Sequence, residues 1–268
     1  MVSMKKLLCV FFLILVSQFI VNGQQPNQRK DSIALSLMKP IKLLHVEIPK
    51  HGINDMIVTH TGFSLLYNEN HEQAAWVAYE LNKEKTVKIA PRTNKFIPDP
   101  KVKTGTATNN DYKNSDYDRG HLAPAADMGW SYPSMNESFY FSNMSPQVPG
   151  FNRGIWKKLE ELVRTWAVKN ESIYIVTGPI LTDNLPAIGQ NKVSVPASYY
   201  KVILDYSLPE IKAIAFIIPN KSSDLPLQTY VVTIDTVEKI TDIDFFYLLP
   251  DEQETIIEKT VCKSLWSW

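Results

Sequence analysis

One strongly amphipathic helical stretch, set among a series of strand-like runs, constrains the fold more than any other feature of this chain. Trp156, Leu159, Val163 and Trp166 recur at helical spacing, while Lys157, Lys158, Glu160, Glu161 and Arg164 occupy the remaining faces. This predicts a helix with one packed face and one wet face. Strand patterns follow over Ser172–Thr177, Lys192–Val195, Tyr200–Asp205 and Lys212–Ile218, with Gly178-Pro179 and Leu208-Pro209 as punctuation. A further strand is expected at Tyr230–Ile234 and a short helix at Val237–Thr241. Upstream, His60–Tyr67 ends in a strand pattern, and Ala74–Leu81 fits either a strand or a short helix. Many strands and few long helices favour a mixed α+β domain over a doubly wound one. At 268 residues and 44% apolar composition, one domain with a substantial core is expected.

Charge and cysteine content remove several classes. Lys plus Arg number 28 and Asp plus Glu 28, so the chain does not coat nucleic acid through global positive charge, although a local basic groove stays open. Only Cys9 and Cys262 are present, far apart, which leaves no basis for a zinc knuckle or a redox pair. Residues 1–23 combine a basic head, MVSMKK, with an apolar run and small or polar residues at Val21-Asn22-Gly23. They read as a signal peptide, since a run of about 15 residues is short of the roughly 20 that span a bilayer. An exported protein, periplasmic or secreted and without stable membrane association after cleavage, is the expectation. Residues 24–50 look like a poorly ordered lead-in and 51–268 like the folded domain.

The polar stretch from Pro98 to Asp118 reads as a long surface loop, a common carrier of function. It leads into Asp118-Arg119-Gly120-His121. His121 is the best proton acceptor in the chain, because an imidazole near pKa 6.5 can take a proton from water at neutral pH. Arg119 offers a fork suited to phosphate oxygens, and Gly120 permits a close backbone approach. Asp118 has two readings: it pairs with Arg119, or it coordinates a metal. Asn152 reads first as a helix N-cap and second as a neutral oxygen ligand for Mg²⁺. Glu160 lies eight residues on, roughly 12 Å along the helix and about 80° around it, where geometry alone slightly favours a surface position. Together these residues supply a base, a cation and a phosphate fork, the set that phosphodiester cleavage requires. No G-x-S-x-G elbow, P-loop, H-E-x-x-H or dinucleotide-binding glycine turn is present.

Three ordered motifs, DRGH at 118–121, Ser142-Asn143 with Pro146-Gln147, and Asn152-Arg153-Gly154-Ile155-Trp156, resemble those of the secreted non-specific DNA/RNA endonucleases with a ββα-metal site. The likeness runs from about Phe63 to Leu249, with YVVTIDTVEKITDIDFF as its C-terminal segment. It implies a central, mainly antiparallel sheet flanked by helices, with the histidine on a two-stranded element and the metal ligand on the next helix. By resemblance, His121 activates water, Asn152 ligates Mg²⁺ (with Mn²⁺ as a substitute), Asn143 supports the site and Glu160 holds metal-bound water. Arg119 becomes a phosphate-binding or site-organising residue. An upstream arginine maps to Arg92, with Lys95 as its neighbouring alternative, and Arg153 is a lesser phosphate-binding candidate. The activity so implied is hydrolysis of DNA and RNA with little sequence specificity, leaving 5′ phosphates.

Two competing readings are a phosphodiesterase for smaller esters and a nucleic-acid-binding protein that has lost catalysis. The terminal SLWSW leaves a homodimer contact and packing on its own domain as alternatives.

Overall fold

A computed structural model of the chain describes residues 38–268, so the expected signal peptide lies outside the described residues. The frame is a seven-stranded sheet in the order β1-β2-β3-β6-β9-β10-β11, antiparallel throughout. Its strands are β1 (Ile57–Thr59), β2 (Ser64–Asn68), β3 (Gln73–Asn82), β6 (Ser172–Pro179), β9 (Ser198–Asp205), β10 (Lys212–Pro219) and β11 (Val231–Val232). Two ribbons stand apart: β4 (Asp118–His121) with β5 (Met144–Gln147), and β7 (Ala187–Ile188) with β8 (Val193–Ser194). The helices are α1 (Asn109–Tyr112), α2 (Tyr132–Glu137), α3 (Lys157–Lys169), α4 (Ile234–Thr241) and α5 (Asp251–Lys259). This is an α+β fold with a central, mainly antiparallel sheet flanked by helices, as the sequence and the resemblance led one to expect.

Both faces of the sheet are covered, which is why its inner strands read as continuous apolar runs and not as alternation. On β9, Tyr199 and Ile203 face the core under α3, whereas Tyr200, Val202 and Leu204 face the core under α4 and α5. On β10, Ile214, Phe216 and Ile218 join the first core, and Ala213 and Ala215 the second. The amphipathic stripe of α3 enters the first core through Leu159, Val163 and Trp166, all essentially solvent-free. Each large apolar side chain buried this way contributes about 1.5–3 kcal/mol relative to exposure. Ala74–Leu81 resolves as part of a ten-residue strand because its neighbours β2 and β6 pair with it along both edges.

Three local expectations change. The loop 98–118 is not merely superficial: Asp99, Val102, Ala107 and Tyr112 are buried, and α1 forms within it, capped reciprocally by Thr108 and Asp111. Tyr230–Ile234 gives only the two-residue β11, since Thr233 caps α4 and draws Ile234 into that helix. Residues 24–37 of the lead-in lie outside the described residues; in its described part, 38–50, Val46 is buried in the second core and the Lys50 amide donates to the Asp244 carbonyl. At the other end, Trp266 is buried with its ring centroid 4.5 Å from that of Trp166, so the terminal tryptophans pack on their own domain.

Candidate active site

The site is built on the β4–β5 ribbon and the start of α3. In the ribbon, His121 pairs with Met144 and Asp118 with Gln147. Gly120 is required by close approach: a Cβ there would overlap the Gln147 side chain. Between the ribbon and α3 the chain makes a wide turn over Phe151–Trp156, in which Gly154 leaves helical angles (φ −105°, ψ −110°). Phe151, Ile155 and Trp156 anchor that turn in the core, and Asn152 and Arg153 are left on its outer side. A pocket of about 370 Å³ opens here, and its walls include Arg92, Arg119, His121, Asn152, Arg153 and Glu160.

His121 lies deep in this pocket between two aromatic edges. Phe139 meets its ring at 4.9 Å and 88°, and Phe96 at 5.8 Å and 60°. A guanidinium rests on each of those aromatics, Arg92 at 4.9 Å from the Phe139 centroid and Arg119 at 4.1 Å from that of Phe96. Burial, reinforced by the two arginines, lowers the His121 pKa to about 3, so the ring is neutral across the physiological range. Its Nε2 is buried without a hydrogen-bond partner. A neutral imidazole without a hydrogen-bond partner, in a pocket walled by two guanidinium groups, is equipped to accept a proton from a nucleophile.

Asp118 does not pair with Arg119. It pairs with Arg153, through two bonds, and accepts from the Asn152 side-chain amide at 2.8 Å. Arg119 instead donates to Asn109 of α1 while stacking on Phe96. Nor is Asn152 the N-cap: Gly150 precedes the turn and no side chain caps it. With its amide nitrogen given to Asp118, Asn152 keeps its carbonyl oxygen for another partner. Glu160, half-buried, turns into the pocket and not out to the surface. Burial raises its pKa, with Asp127 adding to the rise and Lys201, Arg164 and Arg92 opposing it.

These donors fit a hard divalent cation. A neutral amide oxygen and a carboxylate, with room left for water, match the few-ligand binding that Mg²⁺ accepts. The acidic groups Asp235, Glu238 and Glu258, whose ligand atoms lie within 4.8 Å of one another, are on α4 and α5 and do not line this pocket.

Asn143 supports the pocket from behind. Its oxygen accepts from the Ala123 amide, its nitrogen donates to the carbonyls of Ala123 and Ser138, and the residue is fully buried. It clamps the backbone just after His121. Arg92 lies in the pocket wall; Lys95 does not. Sequence reading missed Lys201, Asp127 and Arg164. Lys201, on β9, is fully buried with its ammonium 4.9 Å from the Trp156 ring, and burial lowers its pKa. Arg164 binds Asp127 at 2.8 Å, and Tyr79 donates to the same carboxylate. The i,i+4 spacing of Glu160 and Arg164 was a usable signal for Arg164; nothing local marks the other two.

Two further clefts flank the pocket. One, of about 510 Å³, shares Arg92, Ala125 and Ala126 with it. The other, of about 460 Å³, shares Arg119 and is lined by Asn109, Asn110, Lys113 and Tyr117.

Residues 42–252 match the family model for DNA/RNA non-specific endonucleases. Human mitochondrial endonuclease G is 32% identical over 216 residues, 74% of this chain and 73% of that protein. The mitochondrial nuclease EXOG of Danio rerio is 35% identical over 223 residues, 77% of this chain and 64% of that protein. A chain in the crystal structure of the EndoG/EndoGI complex superposes with a TM-score of 0.71 at 28% identity, covering 86% of this chain and 96% of that one. These relatives correct the expectation of a periplasmic or secreted protein, since both named nucleases are mitochondrial. The physical reason is that a basic head and an apolar run report hydrophobicity, which does not identify the membrane a leader meets. Among the described residues, no helix is long and apolar enough to cross a membrane.

Proposed function

Because the chain belongs to the DNA/RNA non-specific endonuclease family, we propose that the DRGH pocket is the place where it hydrolyses phosphodiester bonds, with His121 as general base. The protein is a nuclease of DNA and RNA whose activity requires a divalent cation. We assign that cation as Mg²⁺, replaceable by Mn²⁺, held by the Asn152 carbonyl oxygen and, through water, by Glu160.

The observation that carries this reading is the neutral His121 imidazole, whose ring makes no hydrogen bond, in a pocket flanked by Arg92 and Arg119. Arg92, Arg119 and Arg153 bind the non-bridging oxygens of the scissile phosphate and orient it. The His121 ring nitrogen that is open to the pocket takes a proton from the water that attacks phosphorus in line, and the imidazolium so formed lies close to an anionic phosphate that stabilises it. A bound Mg²⁺ supplies a Lewis acid for the charge that develops on the phosphate and lowers the pKa of a water able to protonate the leaving 3′ oxygen. Asp118 holds Asn152 and Arg153 in register, and Asn143 fixes the backbone that follows His121. The ribose 2′-hydroxyl takes no part, so both DNA and RNA serve, and the products carry 5′ phosphates.

Flanking clefts at both ends of the pocket favour a polymer over a small ester. The test incubates purified protein with supercoiled DNA and structured RNA in Mg²⁺, with and without chelator, and assays the ends. Degradation of both polymers, stopped by chelator and leaving 5′ phosphates that ligase accepts, is expected. Cleavage in chelator, or 3′-phosphate ends, contradicts the assignment.

A further inference from the structure

We infer that the cleft between the 88–92 segment and the Ala125–Met135 region is a nucleobase subsite, which takes the base of a nucleotide next to the scissile phosphate. The inference rests on the DRGH pocket being the phosphodiester site. A phosphate seated between Arg92 and Arg119 has two ester arms, and the clefts that receive them differ in chemistry. The Arg119 side is polar, with Asn109, Asn110 and Lys113. The Arg92 side is apolar, walled by Ile89, Ala90, Pro91, Ala125 and Met135.

Three observations set its occupant. The cleft shares Arg92, Ala125 and Ala126 with the catalytic pocket, so whatever enters it is attached to, or lies against, the group bound there. Its apolar walls suit a flat face, and the 88–92 backbone adds no anion donors there: the amides of Ile89 and Ala90 both donate to the Gly129 carbonyl. Ile89 is 64% exposed, a large apolar side chain at the edge of a charged pocket. Such a side chain is covered when a base packs on it, and the cleft's volume of about 510 Å³ accommodates a base with its sugar. Lys88, at the cleft, supplies a cation for the next phosphate along the strand. A base in the cleft has left its stack, so the subsite acts on single-stranded or locally opened substrate.

The experiment uses a single-stranded oligonucleotide, intact or with one abasic position scanned along it. An abasic nucleotide beside the cut bond is expected to slow cleavage there on the order of tenfold, the scale of one packed base. Ile89→Asp, a change at an exposed position, is expected to erase that penalty, whereas Ile240→Asp on α4, across the sheet, keeps it. Anisotropy with the same oligonucleotides in chelator reads the preference without turnover. A preference for the intact strand in binding, erased by Ile89→Asp, supports the subsite even in a protein that does not cut. Cleavage that is indifferent to the abasic position at every place overturns the subsite and leaves the nuclease reading standing.

Discussion

At Asp118 the side chains of Asn152 and Arg153 converge on one carboxylate, which ties the β4–β5 ribbon to the turn ahead of α3. This contact spans 34 residues to Asn152 and could not be read from the motif, where the adjacent Arg119 is the obvious partner. That His121, Asn152 and Glu160 line one pocket was legible only in part: His121 stood out by residue type, Asn152 read first as a helix cap, and Glu160 was placed here by the family resemblance against a helix geometry that favoured the surface. The Asp118 tether predicts that Asp118→Asn leaves the fold intact and raises the Mg²⁺ concentration for half-maximal activity by about 10- to 100-fold, the usual cost of losing a residue that orients a metal ligand. A Mg²⁺ titration of activity checks it. An unshifted midpoint with reduced maximal rate would place the role of Asp118 elsewhere. Lys201 was illegible for a different reason. Within the strand pattern Tyr200–Asp205 nothing marks this lysine as buried, and only the packed structure puts it beside the Trp156 ring and near Glu160.

Among the elements, the sheet strands and α3 follow from periodicity, whereas the shortest elements do not. The two-residue β11 and the four-residue α1 are set by a capping threonine and by tertiary pairing, which local patterns do not encode. The β4–β5 ribbon depends on Gly120, so Gly120→Ala is expected to cost about 1–3 kcal/mol by overpacking against Gln147, measured by denaturant unfolding. The pairing of α4 with α5 brings Glu238, Glu254 and Glu258 together. Burial first, then its acidic neighbours, raises the Glu258 pKa to about 9 and that of Glu254 to about 7. The protonated forms are therefore favoured in the folded state. Their contribution is fully present below the ordinary carboxylate pKa near 4.5 and is lost as pH rises through about 7 and then about 9. Glu258→Gln should accordingly raise Tm at pH 9 by about 2–4 °C and leave it nearly unchanged at pH 4. Equal shifts at both pH values would remove the carboxyl cluster as the cause.

Across the whole molecule, a balance of 28 basic and 28 acidic residues coexists with a pocket wall that carries Arg92, Arg119, Arg153, Lys157 and Arg164. Net charge was thus uninformative about the partner, because the fold gathers five basic side chains and a single carboxylate, Glu160, in one pocket wall. Binding led by phosphates predicts that log K for DNA falls with log salt by roughly 0.9 per phosphate contact, for a slope of about −3 if three arginines engage. Fluorescence anisotropy across a salt series in chelator measures this, and a flat dependence contradicts a phosphate-led groove. The measurement that bears most directly on the whole account is plasmid cleavage in saturating Mg²⁺ by the wild type and by His121→Ala, with folding checked by circular dichroism and DNA affinity by anisotropy. The account predicts that His121→Ala loses activity by about 10²- to 10⁴-fold while fold and DNA binding persist. Cleavage by the variant within a few-fold of the wild type would contradict it.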